Sequence, residues 1–229
     1  MSTIIAENLN EIRKRMQEAC KRSGRNLQDV TLIAVSKTKP LSALQDAYDA
    51  DARDFGENKV QEITEKEPQM PSDARFHMIG HLQRNKVKQV LKHVVMIHSV
   101  DSVRLAEQIQ TDAARAGMVM DVLLEVNVAR EESKFGFMTE EVEEAVNIIS
   151  RFPNVHICGL MTIAPFVDDA EENRPVFQKL YQLSVDIKSK NIDNVSMGVL
   201  SMGMSGDYEV AIEEGATLIR VGTGIFGTR

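Results

Sequence analysis

The stretch LSMGMSGDYEVAIEEGATLIRVGTGIFGTR, residues 200–229, contains the pattern that decides the fold. It begins with a short apolar run and turns at a Ser-Gly pair. An amphipathic helix pattern follows, ends near Gly215, and leads into a second apolar run at 218–221. Strand, turn, helix and strand in this order are typical of a β-α-β unit, whose two strands are parallel. The end of the sequence therefore predicts a parallel sheet covered by helices.

The same alternation runs back through the chain. The predicted strands cover residues 31–36, 53–55, 76–79, 95–100, 122–128, 156–162, 197–202 and 218–221. The predicted helices cover residues 7–23, 41–50, 60–67, 84–92, 102–117, 139–151, 172–190 and 205–214. This rhythm favours a closed (β/α)8 TIM-type barrel over a doubly wound open sheet, which usually has fewer strands and a Gly-x-Gly-x-x-Gly turn that is missing here. We predict one α/β barrel domain over residues 1–229 with an extra N-terminal helix.

The composition limits the partners. Asp and Glu outnumber Lys and Arg by 34 to 27, which gives a net charge of −7 without a concentrated basic stripe, so we expect no nucleic-acid partner. No apolar run approaches the length of a membrane span, and the N-terminus lacks the apolar segment of a signal peptide. Cys20 and Cys158 form no Cys-x-x-Cys pair, and no histidine cluster has metal-ligand spacing. We therefore expect two buried thiols, no metal, no membrane and a cytoplasmic location.

The predicted first strand ends in AVSKTKP, residues 34–40. Period-two alternation turns Lys37 into the barrel together with Ile33 and Val35. A lysine at the rim of an apolar interior is partly desolvated, which frees its amine for attack on an aldehyde. A lysine that merely extends into solvent would leave the same pattern. Lys39 is a second candidate for the reacting amine, although Pro40 ends the strand just beyond and favours Lys37.

Two glycine-bearing turns follow predicted strands seven and eight. Ser205 is a predicted N-cap and lies beside Gly206, and a helix start with free N–H groups attracts anions. Gly-Thr-Gly at 222–224 supplies further amides and a hydroxyl. Simple helix capping is the alternative for the first turn, and the negative charge of Asp207 is a mild argument against an anion there. In barrels these two loops commonly form a phosphate site, which we predict here.

Polar side chains are also predicted inside the upper barrel. Alternation turns Glu125 and Asn127 inward on strand five and Arg220 inward on strand eight. A buried arginine requires an acceptor. Either a carboxylate such as Glu125 or a ring nitrogen of a cofactor would serve, and the residues leave both open. For His77 and His81 we expect structural roles.

The residues alone thus predict a barrel with a Schiff-base lysine on strand one and a phosphate site at strands seven and eight. Two chemistries fit this combination. One is a pyridoxal phosphate site, and the other is a lysine aldolase that acts on a phosphorylated sugar. Physical reasoning from the residues does not separate them.

Five segments resemble the YggS/PROSC family of pyridoxal phosphate homeostasis proteins. These are AVSKTKP at 34–40, FGENKVQE at 55–62, FHMIGHLQRNK at 76–86, GLMTIAP at 159–165 and the whole of 200–229. The resemblance extends from the N-terminal helix to the last residue, and its 200–229 block is highly specific. It implies a barrel similar to the N-terminal domain of alanine racemase.

The resemblance also implies that pyridoxal 5'-phosphate (PLP) is the cofactor and that seven residues bind it. These are Lys37 as the amine of the Schiff base, Asn58 beside the ring, Arg220 at the pyridine nitrogen, and Ser205, Gly206, Gly222 and Thr223 around the phosphate. Three positions depart from the family pattern: Lys59 replaces a frequent Tyr, and Phe76 and Met78 stand where Trp and Phe are common. We expect these three to border the site.

An arginine at the ring nitrogen keeps that nitrogen unprotonated, so the ring is a weaker electron sink than one paired with a carboxylate. Racemases of this fold add a C-terminal β-domain and a tyrosine base from a partner subunit, whereas this sequence ends at Arg229, just after the last unit. Our main hypothesis is a monomeric, non-catalytic carrier that stores PLP, limits its free aldehyde and delivers it to apo forms of PLP-dependent enzymes. The alternative is a PLP-dependent amino-acid racemase or a related enzyme.

Overall fold

The computed structural model describes residues 3–227, so residues 1–2 and 228–229 of the predicted domain lie outside the described residues. Its eight strands are β1 (Thr31–Val35), β2 (Asp54–Glu57), β3 (Arg75–Met78), β4 (Met96–Val100), β5 (Met120–Glu125), β6 (Val155–Met161), β7 (Val195–Ser201) and β8 (Leu218–Val221). They form a closed barrel in chain order, and every neighbouring pair is parallel. The predicted barrel is therefore confirmed. We call the carboxyl ends of the strands the upper rim and their amino ends the lower rim.

Helices cover the outside of this barrel. They are α1 (Ile4–Ser23), α2 (Leu41–Asp49), α3 (Val60–Lys66), α4 (Val87–Val90), α5 (Val103–Ala116), α6 (Val142–Ile149), α7 (Arg174–Ser189), α8 (Tyr208–Glu213) and α9 (Thr223–Phe226). Short 3-10 turns lead into α4, α6 and α7. The helix predicted at 205–214 begins only at Tyr208, and the short helix α9 was not predicted.

The apolar side chains form two layers. The larger layer lies between the strands and the helices, and it includes Ala34 of β1 and Ile219 of β8. A smaller cluster fills the barrel interior and contains Ile33, Leu123, Cys158, Met161 and Leu218. The predicted alternation of β1, β5 and β8 is thus confirmed, because successive side chains of a strand point to opposite faces.

Phe76 and Met78 belong to the outer layer, and Phe76 stacks on Phe55 with ring centroids 5.6 Å apart. Since their neighbour His77 takes the inward position on β3, these two side chains face the helices. The expectation that Phe76 and Met78 border the site is therefore wrong. Lys59 is exposed at the start of α3.

Helix α1 ends at Gly24, which adopts the left-handed conformation (φ 69°) that favours glycine. Its apolar stripe is buried as predicted, and the helix lies against α8 and α9. Asn8 donates to the backbone oxygen of Ile225 at 2.9 Å, and Arg22 pairs with Glu209 of α8 at 3.0 Å. The N-terminal helix thus links the start of the chain to its last unit.

The two cysteines are free and buried, as predicted. Among the helices of residues 3–227, none combines the length and the apolar character that crossing a bilayer requires.

Candidate functional site

Lys37 lies in the turn that follows β1 at the upper rim. Ser36 still pairs with β2, since its N–H donates to Gly56 O at 3.0 Å. The next residue but one, Thr38, has a left-handed backbone (φ 64°) and donates its N–H to Glu62 Oε2 at 2.7 Å. Lys37 is half-buried, and its Nζ has no hydrogen-bond or ion-pair partner within the described residues 3–227. The backbone of this turn is thus fixed by hydrogen bonds, whereas the amine of Lys37 is available to a ligand.

Lys39, the second candidate amine, is engaged elsewhere. Its Nζ donates to the backbone oxygens of Phe226 at 3.0 Å and Gly227 at 3.2 Å, at the end of α9. A cation at a helix C-terminus satisfies carbonyl groups that have no partner in the helix itself. The two lysines of the turn therefore have different surroundings, and Lys37 is the better candidate for chemistry.

A buried polar network lies behind this turn, on the helix side of the barrel. Lys66 donates to Ser36 O at 3.0 Å, to Glu57 Oε1 at 2.8 Å and to Glu62 Oε2 at 2.7 Å. Ser36 Oγ donates to the same Glu57 oxygen at 2.7 Å. Burial raises the pKa of Glu57 even though Lys66 and Ser36 act in the opposite direction. Through Ser36 and Glu62, this network fixes the residues on both sides of Lys37.

Sequence reasoning missed that network. Glu57, Glu62 and Lys66 look like ordinary charges on the polar face of an amphipathic helix and its approach. The only signal was the i, i+4 spacing of Glu62 and Lys66, which is common on solvent-exposed helices.

The loops after β7 and β8 meet at the upper rim. Ser205 Oγ accepts hydrogen bonds from the N–H groups of Gly222 and Gly224, both at 3.3 Å. The sequence predicted Ser205 as the N-cap of α8, and this prediction is wrong. The hydroxyl of Ser205 instead accepts hydrogen bonds from the neighbouring loop. Thr223 follows Gly222 as the exposed first residue of α9. The arrangement brings a hydroxyl and two amides to one point.

The residues beside Ser205 leave this point open. Gly206 is exposed, and a Cβ added to it would meet no atom within 4 Å. Asp207 is buried, and its carboxylate accepts from Met204 N at 2.7 Å and from Asn173 Nδ2 at 2.8 Å. Since both carboxylate oxygens have donors within the fold, the negative charge of Asp207 is less of an obstacle to an anion than the sequence suggested.

The two halves of the candidate site meet where β1 and β8 pair. Arg220 is in register with Ile33, and Val221 with Ala34. A Cβ added to Gly222 would lie 3.3 Å from Val35 Cβ, so this glycine permits close contact between the two strand ends. The turn of Lys37 and the loop of Gly222 are therefore neighbours on the upper rim.

Arg220 points into the barrel and is 4% exposed. Its Nη1 donates to Ser201 Oγ at 2.6 Å and its Nη2 to Thr162 O at 2.8 Å. Among the described residues it forms no ion pair with Glu125, so that predicted alternative is wrong. Burial lowers the pKa of Arg220 to about 10, an effect that the charge of Glu125 partly offsets.

A chain of hydrogen bonds continues from Ser201 across the interior. His98 Nδ1 lies 2.9 Å from Ser201 Oγ, His98 Nε2 lies 3.0 Å from His77 Nδ1, and His77 Nε2 lies 3.0 Å from Asp54 Oδ1. Burial, reinforced by the neighbouring His77 and by the charge of Arg220, holds the pKa of His98 well below its usual value. With neutral imidazoles, one set of protons satisfies every link: Ser201 donates to His98, His98 to His77, and His77 to Asp54.

This chain ends at the lower rim, where Arg75 makes a two-pronged ion pair with Asp54 at 2.8 and 2.6 Å. His77 is thus a buried, hydrogen-bonded side chain, as predicted. The roles of His98 and Ser201 were missed, because strand periodicity gives the direction of a side chain and not its partner across a barrel.

Glu125 and Asn127 are both buried, but they differ in their surroundings. Burial, with a smaller contribution from the charge of Asp101, raises the pKa of Glu125 to about 7. Asn127 instead bonds to the backbone of Glu131 through both ends of its amide, at 2.9 and 3.1 Å. Glu125 is therefore a titratable group within the barrel, whereas Asn127 holds its own loop.

Asn58 follows β2 on the same rim and is half-buried. Its backbone is so close to Gly80 that a Cβ on that glycine would lie 2.7 Å from Asn58 Cα. The close approach of these two loops therefore depends on the glycine. His81 is exposed, bonds to Asp101 at 2.9 Å and stacks on Phe135 with centroids 3.9 Å apart.

Comparison with known proteins identifies the family. The model of the alanine racemase, N-terminal domain family matches residues 6–229. The pyridoxal phosphate homeostasis protein of Aquifex aeolicus (strain VF5) is 44% identical over 224 residues, which cover 97% of each chain. PipY of Synechococcus elongatus PCC7942 has been solved without PLP (TM-score 0.87, 36% identity) and with PLP bound (TM-score 0.84, 35% identity). Both of these comparisons cover 97% of this chain and 100% of PipY. The chain belongs to the family of pyridoxal phosphate homeostasis proteins, whose barrel has the fold of the alanine racemase N-terminal domain.

Proposed function

We propose that this protein binds PLP at the upper rim of its barrel and acts in PLP homeostasis, by storing the cofactor and delivering it to apo-enzymes. The observation that carries the proposal is the free amine of Lys37 beside the point where Ser205, Gly222 and Gly224 converge. When bound, PLP supplies an aldehyde that combines reversibly with a primary amine, and a phosphate that requires donors. The chain offers both kinds of partner on one rim.

In this proposal the phosphate lies against the loops after β7 and β8. Ser205 would turn its hydroxyl from the amides of Gly222 and Gly224 toward the phosphate, and those amides would become donors to it. Gly206 leaves the space in front of Ser205 open, and Thr223 adds a second exposed hydroxyl. Backbone amides and hydroxyls suit an anion on a protein whose net charge is −7.

Arg220 would orient the ring. Two of its nitrogens are held by Ser201 and Thr162, and a guanidinium has five N–H donors, so others are available to a ring nitrogen. Since the buried Arg220 is a donor only, a nitrogen facing it stays unprotonated. Asn58 would lie at the side of the ring, at the end of β2.

A homeostasis role is favoured over amino-acid racemisation by the surroundings of the tyrosines in residues 3–227. Tyr48 bonds to Asp73, Tyr181 packs against Gly215, and the Tyr208 ring lies beneath Arg15 of α1. The first two are thus engaged elsewhere, and Tyr208, although it follows Ser205 by three residues, is buried beneath α1. The Aquifex aeolicus relative is named a pyridoxal phosphate homeostasis protein, and two unpaired thiols suit the reducing cytoplasm that we propose as the location.

The decisive experiment maps the reacting amine. The purified protein is incubated with PLP and reduced with borohydride, and the modified peptide is identified by mass spectrometry. We expect one added pyridoxyl phosphate group on Lys37, loss of this adduct in Lys37→Ala, and its retention in the matched control Lys39→Ala. An adduct that persists on another lysine in Lys37→Ala, together with unchanged affinity, would refute the assignment.

A second experiment separates the carrier from the racemase. The loaded protein is incubated with L-amino acids in deuterated water. A carrier is expected to give no α-deuterium above the level of free PLP, while an apo-enzyme added to the same solution gains activity. Enzymatic incorporation of deuterium would instead support the racemase.

A further inference from the structure

Three side chains with metal-binding atoms meet at the lower rim, opposite the site of Lys37. Asp121 lies near the start of β5, and His156 and Cys158 lie near the start of β6. Asp121 is in register with His156, and its Oδ1 lies 2.8 Å from His156 Nδ1. Cys158 Sγ lies 3.4 Å from the same nitrogen. One ligand atom from each of the three lies within 4.8 Å of the other two.

An irregularity in β6 points Cys158 into the barrel. Ile157 and Gly159 of β6 pair with two consecutive residues of β5, so Cys158 between them has no partner on that strand. The register of β6 with β7 shifts at the same place. Such bulges are frequent at barrel rims, where they redirect side chains. With the bulge, both Cys158 and Met161 belong to the interior cluster, which strict alternation would not allow. The thiol therefore lies on the same side as His156 and Asp121.

Access to this group is uneven. Cys158 is 5% exposed, whereas the side chains of His156 and Asp121 are 34% and 47% exposed. The only ion-pair partner of Asp121 in residues 3–227 is His156, so no lysine or arginine there competes for the carboxylate. The lower rim thus combines a buried sulfur with an imidazole and a carboxylate that solvent can reach.

We propose that Asp121, His156 and Cys158 bind a zinc ion at the lower rim, with water as the fourth ligand. Sulfur, imidazole nitrogen and carboxylate oxygen together suit Zn²⁺ better than Mg²⁺ or Ca²⁺, which prefer oxygen alone. On binding, the Cys158 thiol loses its proton to solvent and the sulfur bonds to zinc. His156 binds through Nδ1 and carries its proton on Nε2.

Two of the three distances between donor atoms are known, and they require little movement. With zinc–ligand bonds of about 2.0–2.3 Å, donor atoms of a tetrahedral site lie about 3.3–3.7 Å apart. The 3.4 Å between Cys158 Sγ and His156 Nδ1 already fits. The carboxylate must withdraw from the imidazole by about half an ångström, which the exposed side chain of Asp121 permits. Sequence reasoning expected no metal, because Asp121 comes from a different strand and the single His156-x-Cys158 pair is not a metal motif by itself.

The test uses the full-length protein and the metal alone. Zinc is titrated in competition with a chromophoric chelator, and Co²⁺ is used as a spectroscopic substitute. We expect one ion per chain and, with cobalt, a thiolate-to-metal charge-transfer band. Cys158→Ser should abolish this band and weaken zinc binding by about a hundredfold, since even changes outside the ligand shell weaken binding about ten- to a hundredfold.

Cys20→Ser is the matched control, because it removes the other buried thiol and should leave both the stoichiometry and the band intact. His156→Gln and Asp121→Asn alter partly exposed side chains, and they decide the question if Cys158→Ser does not fold. Circular dichroism and PLP uptake report folding independently of the metal. Absence of stoichiometric zinc binding at micromolar concentrations, or a cobalt band that survives in Cys158→Ser, would overturn the proposal.

Discussion

The guanidinium of Arg220 donates to the hydroxyl of Ser201 at 2.6 Å, in the interior of the barrel. Both residues are buried, and Ser201 is also bonded to His98. A cation in the interior of a protein is usually stabilised by a directly paired carboxylate. Here a hydroxyl and a backbone carbonyl, both neutral, accept from Arg220. A series of three hydrogen bonds through two histidines separates Ser201 from the carboxylate of Asp54.

Ser201→Ala should therefore affect both stability and the bound ring. Removing the hydroxyl leaves one N–H of Arg220 without its acceptor, which costs about 1–3 kcal/mol of the free energy of unfolding. We also expect several-fold weaker PLP binding and a shifted absorption band, because Arg220 becomes less well oriented. Urea unfolding and equilibrium titration measure the two effects. Ser184→Ala, which removes a buried hydroxyl of α7, should leave PLP binding unchanged; an equal loss in both variants would show that Arg220 is not involved.

Lys66→Met should strongly destabilise the protein. The change leaves Glu57 buried without its cation, and breaking a buried pair in this way costs about 3–5 kcal/mol. Because burial raises the pKa of Glu57, the loss should shrink at acidic pH, where the carboxyl is protonated. The double variant Glu57→Gln/Lys66→Met should recover part of the stability.

Arg130→Ala is the control for Lys66→Met, since it breaks the exposed pair with Glu140 and should cost less than about 1 kcal/mol. Chemical denaturation at several pH values measures all of these variants. If Lys66→Met is no more destabilising than Arg130→Ala, the network is not what holds the turn of Lys37.

Glu125→Gln should stabilise the protein at alkaline pH. The pKa of Glu125 is raised to about 7 in the folded state, so folding favours the protonated form. Its contribution is neutral below the pKa of the unfolded chain, becomes destabilising as the pH rises from there to about 7, and is constant above that pH. Relative to the wild type, we expect no gain near pH 4 and a gain of up to about 3 kcal/mol at pH 8. The exposed Glu132 provides the control variant Glu132→Gln, and a gain independent of pH would contradict the prediction.

Gly206→Ala should distinguish binding from folding. A Cβ at this position meets no atom within 4 Å, so the free energy of unfolding should change by less than about 0.5 kcal/mol. In the proposed site, however, the methyl group enters the space of the phosphate, and PLP binding should weaken several-fold. Gly198→Ala places a methyl group in equally open space away from the upper rim and should change neither quantity. Equal PLP affinity of the two variants would remove Gly206 from the site.

The sequence predicts the direction of side chains better than their partners. The inward positions of Ile33 and Arg220 followed from strand periodicity, because alternation is a property of the backbone. The acceptors of Arg220 could not be found in this way, since they lie on β7 and beyond β6 and depend on how the barrel closes.

Local chemistry was misleading where a distant segment supplied a better partner. Ser205 precedes a helix pattern and has the chemistry of an N-cap, yet the amides of Gly222 and Gly224 take its hydroxyl. Lys66 has the pattern of a surface charge, yet it is buried because Glu57 and the turn after β1 surround it. Both outcomes are set by contacts that do not exist until the barrel is complete.

The pairing of β1 with β8 has a consequence for synthesis. A chain emerging from the ribosome acquires Lys37 of the turn after β1 long before the loop of Gly222 that follows the paired strand β8. A truncated or half-made molecule therefore has the reactive amine and lacks the donors proposed to hold the phosphate. Cofactor loading would consequently mark molecules whose barrel has closed.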